Sequence, residues 1–269
     1  MRDAAERDDA ALDALRAWVR GRFGISFDEA QRGSFRRRVR NLYGPRDVTP
    51  RGLLARLERG DPSLTQRLVE AVVTNHTFLF REGEAFEYLR DVIAPSLPAQ
   101  GPLRLWSAAT SSGEEAYSMA ACMSASLGRA SHGRVRILGT DLSSRQIRAA
   151  ERAVFASPPR DGCDAPTRAC FVAAGDGAVR VREDVASLCT FRQMNLAMLP
   201  WPFEHAFDVI FLRNVLYYFD PALRARIIEA CHDAARAGAW LVTSATEPTF
   251  DLSSRWRWVR PGVYRKDAR

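Results

Sequence analysis

Apolar residues in the first part of the chain recur three or four positions apart, which is the spacing of one helix face. Three sets show this spacing: Leu12, Leu15 and Val19; Phe35, Val39 and Leu42; and Leu64, Leu68 and Val72. Gly44–Pro45 and Gly60–Pro62 interrupt the pattern as helix breaks. Because no segment here alternates as a strand would, the pattern predicts a small all-α N-terminal domain over residues 1–80.

After the proline-rich segment 94–102, short apolar runs alternate with helical patterns. The predicted strands are Leu103–Ser107, Arg134–Gly139, Phe207–Leu212 and Trp240–Ser244, and the predicted helices are 114–127, 143–153 and 221–237. This alternation predicts an α/β domain over residues 81–269 with a mostly parallel sheet. The last segment, Trp256–Lys266, contains a Pro-Gly turn and predicts an antiparallel hairpin at the edge of the sheet.

Turn residues interrupt the α/β pattern between residues 157 and 192, at Pro158–Pro159 and Gly175–Gly177. Three short apolar segments lie around these turns, at 169–173, 178–182 and 189–192. We interpret the whole range as a small antiparallel β insertion on the main sheet.

Composition narrows the class of protein. With 46% hydrophobic and 26% charged residues, the chain is typical of a globular protein. Its charged start and the lack of an apolar run of about 20 residues predict a cytoplasmic protein without membrane insertion. The five cysteines and four histidines are dispersed, so neither a disulfide framework nor a metal site is expected. The net charge of +7 fits either nucleic acid or an acidic protein as a partner.

The segment 104–118 reads as a buried strand, a turn of small residues and a helix that begins with Glu114 and Glu115. Helix N-termini in such folds normally bind phosphates, because their free amides attract anions. Two carboxylates at this position favour a cationic cofactor without phosphate, and S-adenosylmethionine fits that description. A capping box, pairing Ser112 with Glu115 or Ser111 with Glu114, is the structural alternative and is compatible with the first interpretation.

Polar residues follow three other predicted strands. Asp141 ends the second strand, where an acid can bind a ribose diol; an N-cap or turn aspartate is the alternative. Arg213 and Asn214 follow the strand at 207–212, at the carboxyl edge where open α/β sheets bind ligands. Asn195 and Leu196 have a similar position after the strand at 189–192.

Two further segments are candidates. Asn75, Thr77 and Arg81 alternate with large apolar residues where the helical and α/β parts meet, so they indicate either a site or a plain domain junction. The second segment is a predicted helix that carries Arg32, Arg36 and Arg40 on one flank, with Arg37 beside them. These arginines form either a solvated basic face or a docking surface for an acidic partner. Aromatic residues do not interleave these arginines, which argues against single-stranded nucleic acid.

Four segments together resemble the CheR family of chemotaxis receptor methyltransferases, and the likeness runs over nearly the whole chain. They are Asn75-x-Thr77-x-x-x-Arg81-Glu82; Trp106-Ser-Ala-Ala-x-Ser-x-Gly-Glu-Glu-x-Tyr-Ser118; Thr140-Asp141; and Arg213-Asn-Val-x-x-Tyr-Phe-Asp220. The resemblance implies a Rossmann-like S-adenosylmethionine-dependent methyltransferase domain with the small β insertion, preceded by the all-α domain. It also implies transfer of a methyl group to glutamate carboxylates of chemoreceptor cytoplasmic helices.

The resemblance assigns roles residue by residue. It implies contacts to S-adenosylmethionine from Asn75, Thr77, Arg81, Glu115, Asp141, Asn195, Leu196, Arg213 and Asn214. It places Arg81 and Tyr218 near the transferred methyl group, and it makes the helix with Arg32, Arg36, Arg37 and Arg40 the surface that docks on an acidic helical receptor. Nucleic acid is not an expected partner.

The chain also departs from the family pattern. Ala116 replaces the usual proline after the paired glutamates, and Thr243-Ser-Ala-Thr-Glu247 replaces a common Gly-His-Ser-Glu segment. The loop at Gly175–Gly177 is short, which in this family goes with enzymes that do not tether to a receptor's C-terminal peptide. A methyltransferase for another acceptor and a non-catalytic signalling adaptor therefore stay as alternatives.

Overall fold

The computed structural model describes residues 2–42, 49–73, 75–159, 163–247 and 255–268, with side chains from residue 8 onward. The predicted break at Gly44–Pro45 lies outside these residues. The Cα positions divide the chain into two compact units, Met1–Thr74 with Tyr218–Arg224 and Asn75–Tyr217 with Ala225–Arg269. None of the helices in the described ranges is long and apolar enough to cross a membrane.

Over the described residues the first unit contains four complete helices: α1 Arg2–Phe23, α2 Arg32–Arg40, α3 Pro50–Glu58 and α4 Pro62–Val72. The apolar sets seen in the sequence form its core, and Leu15, Phe35 and Leu68 are fully buried. The helices α3 and α4 begin where Thr49 and Asp61 accept hydrogen bonds from backbone amides of the first turn, each followed by proline. The predicted helical N-terminal region is therefore confirmed.

The second unit contains a seven-stranded sheet and a three-stranded sheet. The strands are β1 Leu103–Ser107, β2 Val135–Asp141, β3 Val154–Phe155, β4 Phe171–Ala173, β5 Val179–Val181, β6 Cys189–Gln193, β7 Phe207–Phe211, β8 Ala235–Val242, β9 Trp256–Arg260 and β10 Val263–Lys266. The large sheet has the order β6-β2-β1-β7-β8-β10-β9. Its first five strands pair in parallel, and β10 and β9 form the predicted antiparallel hairpin at one edge.

The helices of this unit connect the strands and pack on the sheet. They are α5 Glu84–Tyr88, α6 Ala94–Ser96, α7 Glu114–Leu127, α8 Ala130–Arg134, α9 Ser144–Ala150, α10 Ala165–Arg168, α11 Glu183–Ala186 and α12 Pro221–Ala234, of which the first turn up to Arg224 belongs to the first unit. A π-helical segment, Leu89–Ile93, joins α5 to α6, and a 3-10 helix, Leu216–Tyr218, follows β7. The proline-rich connection expected at 94–102 therefore begins as helix.

The central strands carry apolar residues on both faces, which is typical of a parallel sheet that is covered on both sides. Every residue of β7 is buried, as are Leu105 and Trp106 of β1. The chain runs from β1 to β2 on one side and later returns to place β7 on the other side of β1. The carboxyl ends of β1 and β7 therefore form the crevice in which open α/β sheets bind ligands.

Three strand predictions are corrected by the structure. The segment expected as the last strand of the 157–192 insertion is β6, which pairs in parallel with β2 in the large sheet. The small sheet instead consists of β3, β5 and β4, and it begins at Val154, directly after the predicted helix 143–153 and before the expected start of the insertion at residue 157. Strand β8 begins at Ala235 rather than Trp240. Its Ala-Arg-Ala-Gly start has the local preference of a helix end, and pairing of Ala235 with Phe207 overrides that preference.

Candidate active site

Arg213 is the centre of a buried ion cluster at the carboxyl end of β7. Its side chain is 1% exposed. The guanidinium donates to Glu115 Oε2 at 3.1 Å, to Glu82 Oε2 at 3.1 Å and to the carbonyl oxygen of Arg81 at 2.7 Å. Phe86 packs against it, with 5.1 Å between the guanidinium carbon and the ring centre. The planar fork thus joins three segments of the chain: the 81–82 loop, the start of α7 and the turn after β7.

The two glutamates that pair with Arg213 have pKa values shifted in opposite directions. Burial raises the pKa of Glu115, against the charge of Arg213 and the hydroxyl of Ser107, which donates to Glu115 Oε1 at 2.7 Å. Burial acts in the same direction on Glu82, but the amide of Asn214 and the charge of Arg213 hold the pKa of that carboxyl below its ordinary value. The side chain of Glu82 is 38% exposed and that of Glu115 only 12%, so burial outweighs the opposing interactions at Glu115 but not at Glu82.

The start of α7 contains neither of the two capping boxes considered above. Gly113 is its N-cap, with φ of 97° and no side-chain cap hydrogen bond. Ser112 Oγ donates to Glu114 Oε2 at 2.7 Å, and Glu115 turns toward β1. A Cβ on Gly113 would stand 2.8 Å from the Cβ of Ala150, so this glycine lets α7 approach α9.

Asp141 connects the turn after β1 to the turn after β2. Its two carboxylate oxygens accept hydrogen bonds from the backbone amides of Ser111 and Ser143, each at 2.9 Å. The bond to Ser143 is that of a turn aspartate, but Ser143 itself, not Asp141, caps α9. Burial raises the pKa of Asp141 against the opposing effect of these amides.

The other predicted site residues lie in three segments. Asn75 and Thr77 are half-buried, and in the same segment Arg81 donates to the carbonyl oxygen of His76. Asn195 Oδ1 accepts from Ala197 N at 2.9 Å, in a turn that begins with a hydrogen bond from Met194 N to the carbonyl oxygen of Asp141. Leu196 is buried in that turn. Asn214 Nδ2 donates to Glu82 Oε1 at 2.9 Å, which brings it into the Arg213 cluster.

Tyr218 and the arginines predicted to dock a receptor lie in the first unit. Tyr218 ends the 3-10 helix, and its carbonyl oxygen accepts from Ser26 N at 2.8 Å. On α2, Arg32 pairs with Asp13 at 2.6 Å, and Arg36 pairs with Asp9. Among the described residues, Arg37 and Arg40 are exposed and form no ion pair.

Several residues in the loops of the candidate site have a left-handed backbone conformation, which residues other than glycine rarely adopt. They are Phe80, Glu82, Ser111 and Asn214, with φ between 51° and 57°. Such conformations cost about 1–3 kcal/mol each and persist where the surrounding structure imposes them. The loop before α5, the turn before α7 and the turn after β7 are therefore held in place by their contacts.

Two glutamates at this site were not predicted from the sequence. Glu82 belongs to the Arg81-Glu82 motif, but no role was expected for it. Glu247 lies in the altered segment after β8, and its carboxylate accepts from Val215 N at 2.6 Å and Leu216 N at 2.7 Å. Adjacency to Arg81 was a usable signal for Glu82. The contacts of Glu247 depend on the tertiary fold, and the usable signal was that the altered segment still ends in glutamate, as the common Gly-His-Ser-Glu segment does.

Comparison with known proteins identifies the family. The family model for the SAM-binding domain of CheR methyltransferases matches residues 75–260. A chemotaxis protein methyltransferase of Vibrio parahaemolyticus is 33% identical over 211 residues, which is 74% of each chain. Chemotaxis protein methyltransferase 1 of Pseudomonas aeruginosa is 29% identical over 267 residues, or 95% of this chain and 97% of the relative.

Among solved structures, an S-adenosylmethionine-dependent methyltransferase from Mesorhizobium loti aligns with a TM-score of 0.36 and 20% identity, over 70% of this chain and 64% of that one. The family model and the two relatives agree with the resemblance seen in the four sequence segments. The chain belongs to the CheR methyltransferase family and is an S-adenosylmethionine-dependent methyltransferase.

Proposed function

We propose that this methyltransferase transfers the methyl group of S-adenosylmethionine to glutamate side chains of chemoreceptor cytoplasmic helices, which gives glutamate methyl esters. The relatives are named chemotaxis protein methyltransferases, and this name is the basis for proposing chemoreceptors as the methyl acceptor of this chain. The observation that carries the chemistry is the cluster of Arg81, Glu82, Glu115 and Arg213 at the carboxyl edge of the sheet.

The residues of the crevice fit S-adenosylmethionine. Thr110 Oγ1 and Ser111 Oγ are buried without a hydrogen-bond partner in the turn between β1 and α7, so this turn offers polar atoms to a ligand. The carboxylates of Glu115 and Asp141 suit a ligand with cationic groups and a ribose diol. The residues proposed to hold the cofactor are Asn75, Thr77, Arg81, Glu115, Asp141, Asn195, Leu196, Arg213 and Asn214. When bound, the cofactor supplies a methyl group activated by a positive sulfur.

The residues of the chain mainly have to align the acceptor. A glutamate with a reference pKa of about 4.3 is ionised at neutral pH, so its carboxylate attacks without a general base. Arg81 is partly exposed, and its guanidinium has five N–H donors, more than its contact to His76 uses. We assign Arg81 and Tyr218 to orientation of the acceptor or the cofactor. Alignment alone can contribute about 7–11 kcal/mol to a transfer of this kind.

The short turn of the small sheet supports the proposal that the enzyme works without a peptide tether. Residues between β4 and β5 form a tight connection, in which Ala178 N donates to the carbonyl oxygen of Gly175 at 2.7 Å and Ala174 N donates to that of Ala178 at 2.9 Å. We propose that the receptor's C-terminal peptide is not captured at this connection, and that docking depends on α2.

The chemistry of the product tests the acceptor. We expect radioactive methyl groups from the cofactor to appear in receptor cytoplasmic fragments and to be released as methanol by alkali. Only a carboxyl ester gives this release. Label that is stable to alkali, or found in nucleic acid or in an amine, would contradict the glutamate assignment, and binding of S-adenosylhomocysteine without any turnover would support the adaptor alternative.

The docking surface is best tested at Arg37 and Arg40, because Asp9 and Asp13 already neutralise Arg36 and Arg32. We expect the double variant R37E/R40E to lower receptor methylation about tenfold or more, through a higher KM for the receptor, since it repels an acidic helix. Binding of S-adenosylhomocysteine, measured by calorimetry, should not change.

A matched control is R51E/R59E, which makes the same charge change at two exposed positions of α3 and its C-terminal end. If both double variants raise the KM equally, only the net charge matters. If neither does, the basic face of α2 is merely solvated.

A further inference from the structure

We propose that Glu247 is a positioning residue for methyl transfer, because it holds the turn that carries Arg213 and Asn214 and the start of the 3-10 helix that ends at Tyr218. This inference rests on the proposed function of those residues. Glu247 lies in the segment where this chain departs most from the family pattern, and no role in the reaction was expected for it.

The contacts of Glu247 are all to backbone amides. Oε1 accepts from Val215 N and Leu216 N, and Oε2 accepts from Ser244 N at 3.1 Å. The residue is 5% exposed. One carboxylate therefore connects the loop after β8 to the turn after β7, and it does so inside the second unit.

The turn after β7 needs such a partner. The first amides of a helix have no carbonyl partner within the helix, so Val215 N and Leu216 N require an acceptor from elsewhere. Asn214, directly before them, has a left-handed backbone with φ of 56°. Oε1 of Glu247 accepts from both amides, and Oε2 ties the same carboxylate to Ser244 N, so the strained residue between β7 and the 3-10 helix is fixed to the loop after β8.

A second carboxylate, that of Glu82, holds the same turn by binding two side chains of the turn. Glu82 accepts from the guanidinium of Arg213 and from the side-chain amide of Asn214. Two glutamates from distant parts of the sequence thus fix one turn, Glu82 through side chains and Glu247 through backbone. Since the turn carries two proposed cofactor contacts and leads to Tyr218, a small displacement is expected to reduce both binding and alignment.

A carboxylate suits this position better than its amide isostere. Glutamate presents only acceptors, so both oxygens can receive amide hydrogens. Glutamine would turn an NH₂ group toward one of the three amides, and a buried donor would then face a donor. Burial raises the pKa of Glu247, while the amides of Leu216, Ser244, Asn214 and Val215 oppose that effect.

The variant E247Q tests the proposal, with D208N as its matched control. Asp208 is also a buried carboxylate, and it accepts from Arg104 N at 2.7 Å and from Arg236, but it lies at the amino end of β7, away from the turn. We expect E247Q to weaken S-adenosylhomocysteine binding about tenfold and to lower kcat by a similar or larger factor, with an unchanged KM for the receptor fragment. D208N should lower the unfolding midpoint while both constants stay within about twofold.

The same measurements show when the proposal fails. If E247Q and D208N both lose only stability, with cofactor affinity and kcat unchanged, Glu247 is an ordinary structural acid. If E247Q does not fold, E247D keeps the charge on a shorter side chain and should show the same losses; normal constants in E247D would overturn the proposal. Cofactor affinity needs no acceptor, so a wrong receptor assignment would appear as absent turnover in the wild type and would not be confused with this result.

Discussion

Replacing Arg213 by methionine is expected to abolish binding of S-adenosylhomocysteine and to lower the free energy of unfolding by about 3–5 kcal/mol. Methionine retains the length of the side chain but removes its charge and its hydrogen-bond donors. Glu115 would stay in a buried position without its cation, and the link from Glu82 to the turn after β7 would be lost. Calorimetry and chemical unfolding measure the two effects separately.

The stability effect can be assigned with a double-mutant cycle. E115Q removes the less exposed of the two carboxylates, so the double variant E115Q/R213M leaves only the half-exposed Glu82 without its partner Arg213. We expect its free energy of unfolding to exceed that of R213M, with a coupling energy of about 1–3 kcal/mol. Cofactor binding should stay absent in the double variant. Additive losses of stability would contradict the buried ion pair, and normal binding by R213M would remove Arg213 from the cofactor site.

The parts of the fold that the sequence predicts well are those with one dominant local pattern. Strand β1 and helix α7 have the predicted bounds, because an apolar run, a turn of small residues and an alanine-rich helix follow each other without ambiguity. Strand β6 was misassigned for a physical reason. Because β6 is the edge strand of the sheet, its residues alternate between buried and exposed, as they would in an antiparallel strand. This period of two does not tell which strand is the neighbour of β6.

The positions of the candidate residues were predictable where those residues end or closely follow a strand. Asp141 and Arg213 stand at the carboxyl ends of β2 and β7, where topology alone places them near the crevice. Their partners were not predictable. The ion pair of Arg213 with Glu82 spans 131 positions of sequence, and Glu247 reaches its amides from a loop in another part of the chain. Such contacts depend on how loops fold back on the sheet, and local periodicity carries no information about that.

The structure also refines the electrostatic reasoning from the start of α7. Two adjacent glutamates suggest a negative crevice, but Glu115 is paired with Arg213 and Glu114 is hydrogen-bonded to Ser112. The cluster of Arg81, Glu82, Glu115 and Arg213 contains two cations and two anions, so its formal charge is balanced. The carboxylate of Asp141 accepts from the backbone amides of Ser111 and Ser143 and is part of no ion pair among the described residues. The preference for a ligand with hydroxyl and cationic groups therefore depends more on Asp141 than the sequence suggests.

Asp141 is accordingly the residue whose removal should most directly reduce cofactor affinity. We expect D141A to weaken binding of S-adenosylhomocysteine by about 100-fold or more, equivalent to about 2.7 kcal/mol. Alanine leaves the amides of Ser111 and Ser143 without their acceptor and removes the lone pairs proposed for the ribose diol. D141N keeps the shape but has one acceptor oxygen, so we expect an intermediate loss. D208N, a buried Asp-to-Asn change at the far end of β7, should leave the affinity unchanged.

Acid pH should reproduce part of this loss in the wild type. Burial raises the pKa of Asp141 above its ordinary value, so protonation begins at a higher pH than for an exposed aspartate. The sign is opposite for binding and for folding. A carboxyl with a raised pKa in the folded state contributes stability at low pH that is lost as pH rises through that pKa. Cofactor affinity, which uses the ionised form, should instead fall as pH is lowered.

Calorimetry across the acid range should show this fall in the wild type and a smaller one in D141N. The fall that remains in D141N would come from Glu115, the other carboxyl whose pKa burial raises. An identical pH dependence in both proteins would show that Asp141 does not bind the cofactor through its charge.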